Sequence, residues 1–250
     1  MKTIGYAIQW GLSLIFIIQM YLMMFLMALF FTPFAIFSRD WAYRAVGTYC
    51  RWVRFSAALL VGLKSEVRGS VPTDEVLIAA KHQSFFDIIM IVSVVPRPKF
   101  IMKAILRWAP ILGWYGMRIG CVPVNRGKRA EAIRKMVADV TSGDAPSGQL
   151  IIYPQGTRVA PGAQMSYKVG TAVLYQETGQ ACVPAATNVG VFWPRHGIYR
   201  KRGTAVVEFL PTIEQGLTKD VFLDTLETVV ETRSDALMKE AGFDAKAHNP

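Results

Sequence analysis

His82 and Asp87 close the segment Lys81-His-Gln-Ser-Phe-Phe-Asp87. A carboxylate that reaches one imidazole nitrogen orients the ring and stabilises the imidazolium, leaving the other nitrogen as a general base. The same residues have a second reading. Ser84 with an acid three positions on is a capping pattern that predicts a helix from Phe85; Asp87 then serves only the backbone, and His82 is an ordinary loop residue. The residues alone leave both open. In Tyr153-Pro-Gln-Gly-Thr-Arg-Val159, Gly156 permits close backbone approach, Thr157 offers a hydroxyl and Arg158 a planar cation suited to phosphate. A turn with an exposed arginine is the alternative there. Gly120-Cys-Val-Pro-Val-Asn-Arg126 reads as a strand ending in arginine. Cys182-Val-Pro-Ala-Ala-Thr187 reads as an apolar strand, and its Pro184 predicts a sheet edge or strand end.

Other chemistries lack their residues. No Gly-x-Ser-x-Gly elbow is present, so a serine hydrolase has no nucleophile. No Gly-x-x-x-x-Gly-Lys-[Ser/Thr] loop is present for an NTPase. The three histidines and three cysteines are scattered, which predicts no metal site and no disulfide framework.

These segments need a scaffold. Short apolar runs alternate with helical patterns from Ser65 onward. Strands are predicted at Val76–Ala80, Lys99–Met102, Gly120–Val124, Leu150–Tyr153, Cys182–Ala186 and Thr204–Phe209. Helices are predicted at Lys128–Ser142, Gly170–Glu177 and Thr218–Glu240. The alternation predicts an α/β domain over 65–250 with a mixed, largely parallel sheet covered by helices.

Residues 1–64 have another character. No charged residue occurs from Thr3 to Ser38, and Ile4–Phe31 is apolar but for Gln9, Ser13 and Gln19 among polar types. As a helix this run is about 42 Å long, more than a bilayer core requires. Pro33 is expected to end it. Trp41–Leu63 is a second, amphipathic helix with Arg44, Arg51 and Arg54 in one arc, a pattern suited either to the membrane interface or to packing on a core. The length of the first helix favours a membrane span, whereas the second favours a two-helix dock. Basic residues after the apolar run place the remainder of the chain on the cytoplasmic face of a cell membrane.

Composition argues against disorder and against a fully water-soluble protein. Of 250 residues, 52% are hydrophobic and 18% charged, and the net charge is +10. Mean hydropathy is +0.28. The charge predicts an anionic partner. Residues 65–202 carry 18 lysines and arginines against 8 acids, while 203–250 carry 4 against 9, reading as an acidic solvated tail. Basic residues spread over several loops beside a membrane helix argue against nucleic acid.

Taken in order, the segments resemble the glycerolipid acyltransferase family, in particular the 1-acyl-sn-glycerol-3-phosphate (lysophosphatidic acid) acyltransferases. The Asn-His-x4-Asp block appears as Lys81–Asp87. The lysine followed by Leu-x-x-x-Pro-x-x-Gly appears as Lys103, Leu106, Pro110 and Gly113. The Gly-x5-Arg block is Gly120 to Arg126, the Phe-Pro-Glu-Gly-Thr-Arg-Ser block is Tyr153 to Val159, and the Val-Pro-Val strand is Val183-Pro184-Ala185. The resemblance implies His82 as general base, oriented by Asp87, and acceptor phosphate held by Lys103, Arg126, Gly156, Thr157 and Arg158. It also implies an acyl pocket bordered by Val183, Pro184 and Ala185. No bound cofactor is implied; the partners are the lipid bilayer, a lysophospholipid acceptor, and acyl-CoA or acyl carrier protein as donor. Lys81 stands where the family has asparagine and Gln155 where it has glutamate. Gln155 is expected to leave the phosphate cradle more positive and keeps another acceptor open, such as a lyso-ornithine lipid. A non-catalytic lipid-binding protein is the reading from another class.

Overall fold

The computed structural model describes residues 2–124, 134, 137–138, 140 and 147–243. Seven strands form one sheet: β1 (Leu63–Arg68), β2 (Leu77–Ala80), β3 (Pro98–Lys103), β4 (Val122–Val124), β5 (Gln149–Ile152), β6 (Cys182–Thr187) and β7 (Gly203–Phe209). Their order is β1-β7-β6-β2-β5-β3-β4, parallel throughout except where β7 runs antiparallel to β6. The expected mixed, largely parallel sheet is therefore present. β2 and β5 are buried along their whole length, which is why Leu77–Ala80 and Leu150–Ile152 are continuous apolar runs rather than alternations, with Gln149 at the start of β5 hydrogen-bonded. Most of Lys128–Ser142, and Arg126, lie outside the described residues, although Val137 and Val140 pack against the sheet.

Side-chain alternation divides the core. Ile78, Ala80, Ile151, Val183 and Ala185 face α3 (Phe85–Val92) and the N-terminal helices. Leu77, Ala79, Leu150 and Ile152 face the other side. That side is covered by Tyr175 of the helix Val169–Thr178, here α5, and Phe222, Leu226 and Val230 of the C-terminal helix Lys219–Glu240, here α6. A short helix α4 (Leu112–Arg118) lies between β3 and β4.

The N-terminal segment departs from expectation in three places. Helix α1 runs Lys2–Phe37, with Pro33 inside it. Pro33 lacks the N–H that would bond one turn back, yet tertiary contacts grip the helix on both sides of it. Thr32 Oγ1 lies 3.1 Å from Tyr115 Oη, and the Arg118 guanidinium donates to the carbonyls of Ala35 and Ile36. The second helix, α2 (Arg39–Ser56), gives way to a π-helical turn at Ala57–Val61, and Gly62 at φ 68° turns the chain into β1. That strand was not anticipated, because only Leu63 and Val67 are apolar in it and as an edge strand it pairs with β7 alone. Finally, Arg54 turns inward to the Oγ atoms of Ser65 and Ser93 rather than outward with the other arginines.

Pro184 also corrects an expectation, since β6 is interior, between β2 and β7. Ala185 receives the Lys81 N–H on the β2 side. The Pro184 carbonyl points the other way, accepting from Leu210 N. Its missing N–H thus falls on the β7 side, between the Ala185–Phe209 pair and the Cys182–Ile213 bridge, where the ladder is interrupted.

Candidate active site

Parallel strands deliver the segments that follow them to one edge of the sheet, where α/β proteins commonly bind ligands. Here the C-terminal ends of β2, β3 and β5 present Lys81–Asp87, Lys103 and Tyr153–Val159. A cavity of about 800 Å³ lies at this edge, and His82, Lys103, Gly156, Thr157 and Arg158 all line it.

Both readings of Asp87 hold at once. Its side chain is fully buried. One oxygen, Oδ2, accepts the N–H groups of Gln83 and Ser84, each at 2.8 Å, while Ser84 Oγ accepts from Phe86 N. That is the predicted helix start at Phe85. The other oxygen, Oδ1, lies 3.0 Å from His82 Nδ1. An ionised carboxylate only accepts, so Nδ1 carries the proton and Nε2 is the basic nitrogen.

The loop after β5 locks onto the loop after β2. The Tyr153 ring stacks on the His82 imidazole with centroids 4.0 Å apart, and Val159 N donates to His82 O at 2.7 Å. Burial first, and the Asp87 charge second, hold the Tyr153 phenol well above its usual range and therefore neutral. Gly156 has φ 70°, a conformation side chains rarely adopt, and a Cβ there would meet Lys168 Nζ at 2.7 Å. Arg158 is set by a reciprocal clasp: it donates to Arg195 O at 3.0 Å, and Arg195 donates to Arg158 O at 3.3 Å.

Two expected features are placed differently, and one was not expected at all. Val183, Pro184 and Ala185 lie inside the sheet and are not on the cavity wall, because β6 is covered on both faces. The apolar wall comes instead from Ile17, Met20, Met24, Met27 and Ala28 of α1, from Ala45, Val46 and Cys50 of α2, and from Ile88, Ile89 and Val92 of α3. Gln155 is 1% exposed and is turned away from the cavity. The loop Trp193–Arg200, which brings Arg195, His196 and Arg200 to the wall, was missed altogether. Its one sequence signal was a cluster of cations and a tryptophan between two strands. Cys50 and Cys121 also line the cavity, but burial pushes each thiol up to about 12, so neither is a nucleophile near neutral pH.

Helix α1 holds to this structure along most of its length. Gln9 donates to Val61 O and Arg200 O, Ser13 Oγ accepts from Arg200 N, and Gln19 bonds Ser56 and Trp52. The polar interruptions of the apolar run are thus its inward anchors. Ile15, Ile18, Leu22, Phe25, Leu29 and Phe30 are exposed on its remaining surface.

Comparison with known proteins gives a consistent result. The Acyltransferase family matches residues 64–188, half of the chain. A 1-acyl-sn-glycerol-3-phosphate acyltransferase of Pseudomonas aeruginosa is 24% identical over 67% of this chain and 66% of its own length. That of Saccharomyces cerevisiae is 28% identical over 74% of this chain and 63% of its own. The chain thus spans just under two thirds of these relatives. In fold, the chain is similar to the crystal structure of the 1-acyl-sn-glycerophosphate (LPA) acyltransferase PlsC from Thermotoga maritima, with TM-score 0.74, 19% identity, and coverage of 90% of this chain and 97% of that one.

Proposed function

The chain belongs to the acyltransferase family, and on that premise we propose that it moves a fatty acyl group from a thioester to the sn-2 hydroxyl of lysophosphatidic acid, giving phosphatidic acid. The observation that carries this reading is an oriented His82–Asp87 pair in the wall of a cavity that is cationic at one part and apolar at another. A lysophospholipid is charged at its head and apolar in its chain, and acyl thioesters share that division.

His82 Nε2 takes the proton of the acceptor hydroxyl as its oxygen attacks the thioester carbonyl carbon. The new C–O bond forms, the C–S bond breaks, and the imidazolium returns the proton to the departing thiolate. Asp87 fixes the tautomer throughout and offsets the transient positive charge. Since a thioester is already activated, direct transfer needs no covalent acyl-enzyme. Lys103 and Arg158 hold the acceptor phosphate, with Gly156 and Thr157 shaping its seat and Arg195 bracing Arg158. Arg126 is assigned to the same phosphate by its place in the sequence block. The acyl chain lies against α1, α2 and α3. Acyl-CoA and acyl carrier protein both supply the required thioester.

Residues 1–64 form the membrane dock and 65–250 the catalytic domain in this reading. Because contacts from Gln9 to Ile36 tie α1 to the domain, we place it in one leaflet, its exposed apolar face in lipid, rather than across the bilayer. The basic flanks put the domain on the cytoplasmic side. Gln155, which had kept another acceptor open, does not line the cavity. Thiol release from acyl-CoA, measured with lysophosphatidic acid and with lyso-ornithine lipid in mixed micelles, tests the assignment. Release dependent on lysophosphatidic acid is expected. Equal or greater kcat/KM with the ornithine lipid, or none with either, would contradict it.

A further inference from the structure

Two residues beside the catalytic loops are charged or polar yet take no part in the cavity. Lys81 immediately precedes His82, and Gln155 immediately precedes Gly156. Both side chains are nearly inaccessible, at 1% for Lys81 and 1% for the Gln155 residue as a whole. A buried ammonium must find a carboxylate or lose its charge. Its partner comes from far along the chain, on α6: Lys81 Nζ pairs with Glu231 Oε2.

Glu231 does more than neutralise Lys81. Its other oxygen, Oε1, accepts from Tyr167 Oη at 3.0 Å and lies 3.4 Å from Gln155 Nε2. Burial, followed by the charge of Glu231, raises the Tyr167 phenol and keeps it a donor. The Gln155 amide also reaches Met165 O at 3.2 Å, while its own Oε1 is buried with no partner among the described residues. An orphaned carbonyl beside a satisfied amide N–H shows which end of the glutamine the carboxylate demands.

We propose that Glu231 is a positioning residue of the active site: its carboxylate, only a quarter exposed, binds Lys81, Gln155 and Tyr167 together and so holds the His82 loop against the Gly156–Arg158 loop. The effect reaches His82 through two further contacts, the Tyr153 stack and the Val159–His82 backbone bond, whose geometry depends on how the two loops meet. Glu231 touches no cavity residue among those assigned to chemistry, and none of the three clustered side chains lines the cavity.

The inference rests on the acyltransferase reading. If the wild-type protein transfers no acyl group, that reading fails; if it does so and the variants below behave otherwise, only the inference fails. Glu231→Gln, which strands the Lys81 charge, should lower kcat at least tenfold with the donor KM within about twofold. Gln155→Glu alone should also lower kcat, by setting two carboxylates against each other. The exchange Gln155→Glu with Glu231→Gln returns one acid and one amide to the pair and should restore kcat to within about threefold of wild type. Thermal unfolding is followed for each. Lys81→Met with Glu231→Met removes both charges, a change that buried pairs often tolerate in stability. This protein should fold and still fall at least tenfold in kcat, so the test survives if Glu231→Gln does not fold. Wild-type kcat in Glu231→Gln or in the double methionine variant would overturn the proposal, as would an exchange variant no better than its two parents.

Discussion

Around His82 the polar atoms are held by one another. Asp87 meets three N–H groups, the His82 carbonyl takes the Val159 N–H, and the imidazole rests on Tyr153. Along α1 and α2 the same cavity is walled by methionines, alanines and branched aliphatics, and side-chain hydrogen bonds come from scattered polar residues such as Gln9 and Gln19 of α1 and Tyr43 and Arg54 of α2. The first wall holds the imidazole by directed contacts. In the proposed reading the second excludes water and sets chain length, tasks that tolerate exchange of one apolar side chain for another. The two should therefore respond to mutation in different ways: the polar wall in rate or acceptor affinity, the apolar wall in which substrate is preferred.

Asp87→Asn should give the largest effect among the supporting residues, lowering kcat by about 10²–10⁴. If the amide keeps its oxygen toward His82, its NH₂ faces the N–H groups of Gln83 and Ser84. If it turns, its NH₂ faces Nδ1. Steady-state kinetics with thermal unfolding on the same sample checks this, and kcat within tenfold of wild type would return Asp87 to helix capping alone.

Arg158→Ala should raise the acceptor KM by about 10- to 150-fold, the equivalent of a charge-assisted hydrogen bond of roughly 1.5–3 kcal/mol, and leave the donor KM nearly unchanged. Were the donor KM to rise instead, the guanidinium would be reading the donor.

The apolar wall gives the smaller effect on total activity. Ala28→Phe narrows the cavity between α1 and α4 and should shift preference toward shorter acyl chains. The sheet residue Val183 makes the matched control. Val183→Ala should cost about 1–3 kcal/mol of stability through its cavity, with chain preference unmoved. Competition among acyl-CoAs of graded length separates the two, and a preference shift from Val183→Ala would put the acyl chain at β6 after all.

The same contrast decides what could be read from sequence. The site's chemical groups follow β2, β3 and β5 within a few residues, so strand patterns and short motifs located His82, Lys103 and Arg158 together. Asp87 was assigned two separate uses because a pattern cannot show that its two oxygens point in different directions. Val183–Ala185 were expected on the acyl wall but do not line the cavity, since an apolar strand looks the same whether its neighbour is a helix or a ligand. The apolar residues that do line it sit far earlier in the chain, on α1, α2 and α3, and α1 is apolar on its exposed and cavity-facing sides alike. Glu231 escaped notice for a related reason: an acidic stretch suggests a solvated face, and one inward carboxylate is invisible until α6 is docked. Pro33 and β1 failed because tertiary contacts outweighed local preference.

The central claim is that Nε2 of His82 removes the acceptor's proton. Purified wild-type and His82→Ala proteins, matched for folding and vesicle binding, are mixed with acyl-CoA and lysophosphatidic acid while free thiol and phosphatidic acid are followed. The account predicts equal release of both products by the wild type and a kcat about 10²–10⁴ lower in the variant. A variant that retains more than a tenth of wild-type kcat would contradict it.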